Sequence, residues 1–227
     1  LEVFNPGEAI ITATSAGVLA EGTLTVEVIG EFNFAPTPTR DSSNVISLFS
    51  DAYNDVPVDF FNGYWEPFQT TKSADFVVDG NHILNYTDFN FVGNQFANPT
   101  VDATQKSNIH IDMYIPNSVP ANMDFLITIV DFGADGMFGG GDDSEHEITI
   151  DNPSQEEWVS LDIPMSEFTG LTARGHIAQY ILVGAPTGSN TVFVDNVYFY
   201  NDGTGGGTPA TEPTTAAPTP CNPPETL

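Results

Sequence analysis

Residues 108–116, NIHIDMYIP, and 123–132, MDFLITIVDF, decide the fold class of the chain. Both segments are short, rich in Ile, Val, Phe and Tyr, and bounded by Asn, Asp or Pro, which is typical of β-strands. Similar segments recur about every 10 to 20 residues along the chain. They are VISLFSDAY (45–53), DFVVDG (75–80), HILNYTDFNFVGNQF (82–96), EHEITID (145–151), EWVSLDIPM (157–165), HIAQYILVG (176–184) and TVFVDNVYFY (191–200).

No segment keeps the apolar i, i+3, i+4, i+7 spacing of a helix, and only residues 166–171 could form a helical turn. The 227 residues suffice for one domain of roughly 150 to 200 residues with flanking segments. Eight or nine antiparallel strands without helices predict an all-β domain. We expect a two-sheet antiparallel β-sandwich with jelly roll topology.

The chain is strongly acidic, with 4 Lys and Arg against 31 Asp and Glu, a formal net charge of −27 and a pI near 4.1. Such a surface repels nucleic acid and anionic lipid headgroups, because neither could release counterions onto it. Charged residues make up only 15% of the chain and apolar residues 40%, so we expect a folded domain. An acidic surface is tolerated where salt screens its self-repulsion, which favours a secreted or cell-surface, extracellular location.

The cysteine content and the hydropathy of the sequence do not further define the cellular location of the protein. The single cysteine, Cys221, allows no internal disulfide and no cysteine-based metal site. The sequence has no run of about 18 apolar residues, and its first residues lack the basic-then-apolar pattern of a signal peptide. We expect an export signal, if one exists, to lie outside this stretch.

The first 34 residues are predicted to be separate from the sandwich. Residues 10–29 alternate apolar and polar positions in two runs, which predicts two strands. They resemble the terminal hairpin of a bacterial immunoglobulin-like or polycystic-kidney-disease-like repeat, which implies a preceding domain at residues 1–34. The alternative is that this hairpin docks onto the main sandwich.

Proline-rich segments flank the predicted sandwich, which spans residues 44–201. Residues 35–43 are predicted to be a short stiff linker, and residues 202–227 a disordered linker rich in Gly, Thr and Pro. The sequence Ala-Pro-Thr-Pro at 35–38 recurs at 217–220. We therefore expect neighbouring modules in the same polypeptide and a longer parent protein.

A glycine-rich loop at residues 131–143, DFGADGMFGGGDD, carries four acidic side chains. Hard oxygen ligands at short spacing, with glycines that allow tight turns, suit the 6 to 8 ligands of Ca²⁺. The predicted ligands are Asp131, Asp135, Asp142 and Asp143. The alternative is a mobile acidic hairpin without metal.

A second predicted calcium site pairs the first strand with the last. The alternation in VFVDNVYF places Asp195 on the same side as Phe193 and Val197, facing inward, where a carboxylate requires a partner. Asp51, at the end of the first strand, comes beside Asp195 if the outer strands meet. The alternative is a hydrogen bond from a backbone N–H to Asp195.

Aromatic side chains suited to stacking on sugar rings are concentrated in the loop 55–67. Trp65 is the leading candidate, with Tyr64 or Phe61 beside it, and the alternative is that Trp65 caps the core. Trp158 lies inside an alternating strand and is predicted to be a core residue.

A second set of candidate sugar ligands lies on the strand RGHIAQY, where an arginine, a histidine and a glutamine alternate with apolar residues. Their side chains could hydrogen-bond sugar hydroxyls from one sheet. The candidates are Arg174, His176, Gln179 and Tyr180, with Tyr53 on the first strand. For Arg174, a solvent-facing ion pair with an acidic residue is the alternative.

The segments that extend from about residue 44 to 200 resemble one known family. DFGADG, EWVSLDIPMSEFTGL, RGHIAQYIL and the closing VFVDNVYFY are similar to β-sandwich carbohydrate-binding modules of secreted bacterial β-glucanases, many of the laminarinase type. The resemblance covers roughly two-thirds of the chain and supports the fold more strongly than the sugar. In such modules the aspartate of the last strand is typically a structural calcium ligand, which implies that role for Asp195.

Catalytic motifs are missing from the sequence. Glu145-His146-Glu147 lacks the E-x-D-x-E alternation of jelly roll β-glucanases, and no G-x-S-x-G elbow or H-E-x-x-H zinc pattern is present. We therefore predict no enzymatic activity.

The predicted function is recognition of a neutral polysaccharide by a calcium-containing module. The resemblance implies a β-glucan, with β-1,3-glucan (laminarin) preferred, and a role in targeting a linked enzyme or a cell surface to that polymer. The alternative is a calcium-stiffened structural or adhesin repeat that binds no sugar. An exposed aromatic platform at Trp65 distinguishes the two, because a spacer has no use for one.

Overall fold

The computed structural model describes residues 7–11, 13–19, 22, 24–28, 33–116, 123–185 and 190–202. The chain divides into two compact units, residues 1–34 and residues 35–227. In the first unit, β1 (Gly7–Ile11) pairs antiparallel with β4 (Leu24–Val28), and β2 (Thr14–Ser15) pairs with β3 (Val18–Leu19). Positive φ angles at Ala16 and Gly17 form the tight turn between β2 and β3.

The second unit is an antiparallel sandwich of a six-stranded and a four-stranded sheet. One sheet has the order β12-β9-β14-β7-β6, with β5 also paired to β14, and the other has the order β11-β10-β13-β8. A short 3₁₀ helix (Ser42–Asn44) precedes the strands. The strands are β5 (Val45–Phe49), β6 (Lys72–Val78), β7 (Asn81–Phe89), β8 (Phe91–Gln95), β9 (Asn108–Tyr114), β10 (Asp124–Asp131), β11 (Ser144–Ile150), β12 (Trp158–Pro164), β13 (Ile177–Ala185) and β14 (Asn190–Tyr200).

This architecture confirms the predicted all-β sandwich with jelly roll topology. The described residues contain no α-helix, and none of their helical segments is long and apolar enough to cross a membrane. Of the predicted disordered linker at residues 202–227, residues 203–227 with Cys221 lie outside the described residues.

Alternating side chains fill the space between the two sheets. On β10, Phe125, Ile127 and Ile129 are fully buried in the main hydrophobic core, whereas Leu126 and Thr128 point to the opposite side of the sheet. The core also receives alternate residues of β7, β8, β9, β13 and β14. The four-stranded sheet therefore has one face in the core and one face directed away from it, which we call the outer face.

The segment HILNYTDFNFVGNQF forms two strands that belong to different sheets. β7 ends at Phe89 and pairs with β6 and β14, whereas β8 begins at Phe91 and pairs with β13. The chain turns at Asp88, which has a φ of 49°. The Asn90 side chain holds this corner, because its Oδ1 accepts the Thr70 N–H at 2.9 Å and its Nδ2 donates to the Phe68 carbonyl at 2.9 Å.

A β-bulge in β14 changes the direction of Asp195. Asn196 has a φ of 51°, and the pairing of β14 with β9 shifts register between Asp195 and Tyr198. Val197 therefore lies in the main core, whereas Asp195 lies opposite Asp112, away from it. The prediction that Asp195 faces the core with Val197 is wrong, because the bulge breaks the alternation on which it rested.

Trp158 also faces away from the core. Its neighbours in sequence, Val159 and Leu161, pack against the main core, which directs Trp158 to the other side of β12. There it packs against Tyr114 with ring centroids 5.7 Å apart and remains partly exposed. The prediction of Trp158 as a core residue is wrong, because the alternation of β12 buries the opposite set of side chains.

Residues 35–43, predicted to be a linker, belong to the second unit and pack on its sandwich through Arg40. The Arg40 guanidinium lies 3.5 Å from the ring centroid of Tyr200 and forms an ion pair of 3.1 Å with Asp162. The Tyr53 hydroxyl donates to the Arg40 carbonyl at 3.0 Å. This segment thus covers part of the six-stranded sheet.

Candidate functional site

The outer face of the four-stranded sheet carries a strip of partly exposed apolar side chains. Phe91 on β8 is opposite Val183 on β13, and Val183 is opposite Leu126 on β10. One row further, Gly93 is opposite Ile181. Phe91, Leu126, Ile181 and Val183 are all partly exposed, and such a strip on an otherwise highly acidic protein marks a candidate binding surface.

The loop 59–65 extends this sheet beyond β8. The Asp59 N–H donates to the Gln95 carbonyl at 2.8 Å, and the Gly63 N–H donates to the Gly93 carbonyl at 3.0 Å. Because the loop continues the hydrogen-bonding pattern of the strand, its position relative to the sheet is fixed. Gly63 and Gly93 thereby become neighbours on the same surface.

The indole of Trp65 lies flat over these two glycines. A Cβ added to Gly63 would lie 2.8 Å from Cε2 of Trp65, and one added to Gly93 would lie 2.5 Å from Cζ2. The Phe91 ring lies beside the indole, with centroids 6.2 Å apart. One face of the indole thus rests on backbone, and the partly exposed side chain offers its other face outward.

Tyr64 precedes Trp65 in this loop and contacts Ser73 on β6. Its backbone adopts a φ of 47°, its N–H donates to the Asn62 side chain at 2.9 Å, and its hydroxyl lies 3.2 Å from the Ser73 hydroxyl. The Gln69 side chain also contacts Asn62 and accepts the Trp65 N–H at 3.2 Å. These hydrogen bonds hold the loop that presents Trp65, so Tyr64 supports the platform from a partly exposed position.

Polar groups border the apolar strip at the other end of β8. Gln179 donates to the Gln95 side chain at 2.8 Å, and Gln95 donates to Asp59 at 3.3 Å. Amide and carboxylate groups of this kind form hydrogen bonds with hydroxyl groups. Gln179 projects from the four-stranded sheet, as predicted, but it is 7% exposed, so its side chain contacts Gln95 and not the solvent.

Two exposed aromatic residues lie at opposite ends of the outer face. Phe68 is 77% exposed and follows Trp65 in the loop that contacts the start of β8. Phe138 is 76% exposed and packs on Phe132, which clusters with Val130 and Ile181 near the end of β10. Neither position was predicted as a sugar ligand.

Three of the predicted sugar-binding aromatic residues are buried, so their prediction as ligands is wrong. Phe61 is 1% exposed and packs in the core, Tyr53 is 7% exposed and packs on Tyr198, and Tyr180 is 0% exposed. Their ring faces cannot contact a ligand, because each fills space between segments of the sandwich.

Arg174 and His176 do not reach the outer face near Trp65. Arg174 Nη1 donates to the Lys106 carbonyl at 3.3 Å, at an end of the sandwich. The His176 ring contacts the Thr100 hydroxyl at 3.0 Å. The prediction that Arg174 and His176 project from one sheet together with Gln179 is wrong, because β13 begins at Ile177 and both residues belong to the preceding loop.

The four carboxylates of the acidic loop accept backbone N–H groups. Fully buried Asp131 accepts the Gly133 N–H at 2.9 Å and the His176 N–H at 2.8 Å through its two oxygens. Asp142 accepts the Ala134 N–H at 2.8 Å. Asp135 and Asp143 likewise accept the N–H groups of Met137 and Gly139. These hydrogen bonds order the loop, and within the described residues no group of three or more His, Cys, Asp or Glu side chains could hold a metal.

Asp51 and Asp195 form a second acidic site. Asp51 accepts the His82 N–H at 2.7 Å, and Asn81 donates to Asp195 at 3.5 Å. The pKa of Asp195 is raised to about 7, mainly by burial and also by the nearby charges of Asp51 and Asp112, against the hydrogen bonds from Asn196 and Asn81 that lower it. The interaction between the charges of Asp51 and Asp195 agrees with the expectation that the two side chains lie near each other.

Asp55 is another partly buried acid, and its ionisation opposes folding. Burial raises its pKa to about 6, although the Ser47 hydroxyl donates to it at 2.6 Å. A carboxyl whose pKa is higher in the folded than in the unfolded chain stabilises the fold below its unfolded pKa near 3.8, and this contribution is lost as the pH rises through about 6.

The Asp55→Asn variant should therefore gain stability relative to the parent protein as the pH rises. We expect the difference in the free energy of unfolding to grow by about 1–2 kcal/mol between pH 4 and pH 7.5, after allowance for partial solvent screening. Urea unfolding across this range measures it. A difference that stays constant with pH would contradict the assignment.

Gly93→Ala tests the packing of Trp65. The added Cβ meets the indole ring and not the core, so we expect the ring to lift from the sheet while the fold survives. In a Trp158→Phe background, Trp65 emission should shift to the red. Gly175→Ala is the matched control, because a Cβ at Gly175 meets nothing within 4 Å. Unchanged emission in Gly93→Ala would contradict the packing described above.

The comparisons with known proteins identify the fold. No protein-family model matches the chain, and no curated protein is significantly similar to it. A crystal structure of a family 30 carbohydrate-binding module is similar at a TM-score of 0.50 and 13% identity, over 74% of this chain and 93% of that one. The family 30 module of a cellulosomal cellulase of Clostridium thermocellum has a TM-score of 0.50 and 12% identity, over 70% and 98% of the chains. The chain thus has the β-sandwich fold of these modules.

Proposed function

We propose that the chain is a non-catalytic carbohydrate-binding module that recognises a neutral polysaccharide on the outer face of its four-stranded sheet. The observation that carries the proposal is the indole of Trp65 lying flat on Gly63 and Gly93 with Phe91 beside it. A fixed aromatic face loses little conformational freedom when it meets the apolar face of a sugar ring. The partly exposed side chain of Gln95, which accepts a hydrogen bond from buried Gln179, supplies hydrogen bonds to hydroxyl groups at the border of the strip.

The proposed polymer is a β-glucan, with β-1,3-glucan (laminarin) preferred. This preference comes from the resemblance of the sequence to modules of laminarinase-type enzymes. A neutral polymer also suits a protein of net charge −27, because a long polyanion would be repelled. The module would hold a linked enzyme or a cell surface close to the polymer, in an extracellular setting.

The proposed absence of catalysis agrees with the surroundings of the acidic residues on this face. Glu145 and Glu147 lie on the edge strand β11, and both are exposed. A glycosidase needs an acid and a second carboxyl group that flank the scissile bond in a site that restricts water. Two exposed side chains of one edge strand do not form such a site.

Affinity electrophoresis tests the proposal. Native gels that contain laminarin, hydroxyethylcellulose, xylan or agarose measure retardation by neutral polymers, and an alginate gel serves as the polyanionic control. We expect the strongest retardation in laminarin and none in alginate, without release of reducing sugar. If no neutral polymer retards the protein, the alternative of a structural repeat replaces this proposal.

We also propose a structural Ca²⁺ at Asp51 and Asp195. Asp195 is 3% exposed, interacts with the nearby charge of Asp51 and lies beside the Asn81 side chain. Hard oxygen donors of this type suit Ca²⁺, whose charge would offset the repulsion between the two acids.

Chelation should therefore destabilise the protein. With free Ca²⁺ at about 100 times its Kd, binding adds about 2.7 kcal/mol, so EDTA should lower the melting temperature by about 5–10 °C. Asp195→Asn should abolish this response, whereas Asp102→Asn, on an exposed loop, should keep it. A melting temperature indifferent to chelator would exclude calcium at both predicted sites.

A further inference from the structure

A pocket lies at one end of the sandwich, between the loop 102–107 and residues 165–174. It has a volume of about 640 Å³. Two of the four basic residues of the chain, Lys106 and Arg174, line it together. This concentration of positive charge is unusual in a protein with 31 acidic residues.

Backbone hydrogen bonds hold the two sides of the pocket together. The Ala103 N–H donates to the Arg174 carbonyl at 2.8 Å, and the Met165 N–H donates to the Ser107 carbonyl at 2.7 Å. Arg174 itself donates to the Lys106 carbonyl at 3.3 Å, which links the two basic residues. The pocket is therefore formed before any ligand binds, and ordering it costs little on binding.

The two basic side chains of the pocket lack the acidic partners that the other two have. Arg40 lies 3.1 Å from Asp162, and Lys72 lies 3.0 Å from Asp88. Among the described residues, no carboxylate lies within 4.0 Å of Lys106 or Arg174. Lys106 donates instead to the Asn44 carbonyl at 3.0 Å. The positive charge of the pocket therefore remains available to an anion.

The remaining walls suit a sugar ring. Leu171 contributes partly exposed apolar surface and Ser166 and Thr169 contribute exposed hydroxyl groups, while Phe168 and Met165 are buried beneath the pocket. An arginine fork binds a carboxylate through two parallel hydrogen bonds, and a lysine adds a point charge. Apolar surface, hydroxyl groups and paired cations together match a sugar that carries one carboxylate.

We propose that this pocket binds a single uronic acid residue carried by an otherwise neutral polysaccharide. The negative charge of the whole protein repels a long polyanion, whereas one carboxylate meets only the local positive charge of Lys106 and Arg174. The pocket shares no residue with the Trp65 platform, so the two sites can be tested separately.

Titration of the ¹⁵N-labelled protein with methyl β-D-glucuronide, followed by NMR, tests this site. Methyl β-D-glucoside is the matched ligand, since it differs only by a CH₂OH group in place of the carboxylate. We expect the glucuronide to shift amide signals of residues 104–107 and 165–174, and the glucoside to leave them unchanged. Sodium acetate should bind at least tenfold more weakly than the glucuronide, because it lacks the ring.

Variants separate the pocket from the platform. Arg174→Gln should weaken glucuronide binding at least tenfold, whereas Lys72→Gln, which removes a basic residue outside the pocket, and Trp65→Ala should leave it unchanged. The proposal is overturned if the glucuronide shifts no signal in the pocket, if glucoside binds as well, or if acetate binds as tightly as the glucuronide. None of these results depends on whether the platform binds a β-glucan.

Discussion

Trp65→Ala should weaken binding of laminarin by about 30-fold or more, which corresponds to about 2 kcal/mol. The substitution removes the aromatic platform that rests on Gly63 and Gly93, while the hydrogen bonds of the loop to β8 remain. Because the indole lies on the surface of the sheet, the melting temperature should change little. Isothermal titration with laminarin oligosaccharides measures the change in affinity.

The other tryptophan of the chain supplies the control. Trp158 packs on Tyr114 at the six-stranded sheet, away from the outer face of the four-stranded sheet. Trp158→Ala should leave the affinity for laminarin unchanged. If both substitutions weaken binding equally, or if Trp65→Ala has no effect, the platform does not bind the sugar.

Asp131→Ala should lower the free energy of unfolding by about 3–5 kcal/mol. Asp131 is fully buried and accepts two backbone N–H groups, and hydrogen bonds to a charged acceptor contribute about 1.5–3 kcal/mol each. Its removal leaves the N–H groups of Gly133 and His176 without their acceptor. Urea-induced unfolding measures the loss, which is a large part of the total stability of a typical domain.

A matched substitution in the same loop distinguishes this hydrogen-bonding role from calcium binding. Asp135 is exposed and accepts a single N–H group, from Met137, so Asp135→Ala should cost less than about 1 kcal/mol. The assignment is wrong if both substitutions destabilise the protein equally and if EDTA removes the difference from the parent protein. That result would show that the loop acts as a metal site.

The fold could be predicted because strand signals are local. In segments such as MDFLITIVDF, the alternation of apolar residues and the polar residues at the ends are visible in the sequence itself. Strands without helices can bury their apolar faces only by packing sheet against sheet. Trp65 could be predicted as a candidate ligand because an indole in a Pro- and Gly-containing loop needs a partner. Both inferences depend on short stretches of sequence.

The composition of the candidate site could not be predicted to the same extent. Phe61 lies only four residues before Trp65, yet it is buried, because the loop crosses from the core to the outer face between them. The pairing of Gly63 with Gly93 depends on a contact between a loop and a distant strand. A glycine inside a strand segment was the one local sign of this close approach.

Irregular backbone explains why the structure differs from the predictions for Asp195 and for the segment 82–96. The bulge at Asn196 turns Asp195 away from the core, and a periodic pattern cannot indicate a single inserted residue. The break at Asn90 likewise divides one predicted strand into two. Trp158 shares its face of β12 with Ser160 and Asp162, whereas Val159, Leu161 and Ile163 occupy the core face, so the alternation of this segment indicates the outward direction of the indole.

NMR titration of the ¹⁵N-labelled protein with a laminarin hexasaccharide tests the proposed function most directly. We predict that amide signals of residues 63–69, 91–95 and 179–183 and the indole N–H signal of Trp65 shift together as one saturable event. These residues surround the Trp65 platform on the outer face of the four-stranded sheet. The absence of shifts, or shifts confined to other parts of the sandwich, would contradict the assignment of that face as the carbohydrate-binding site.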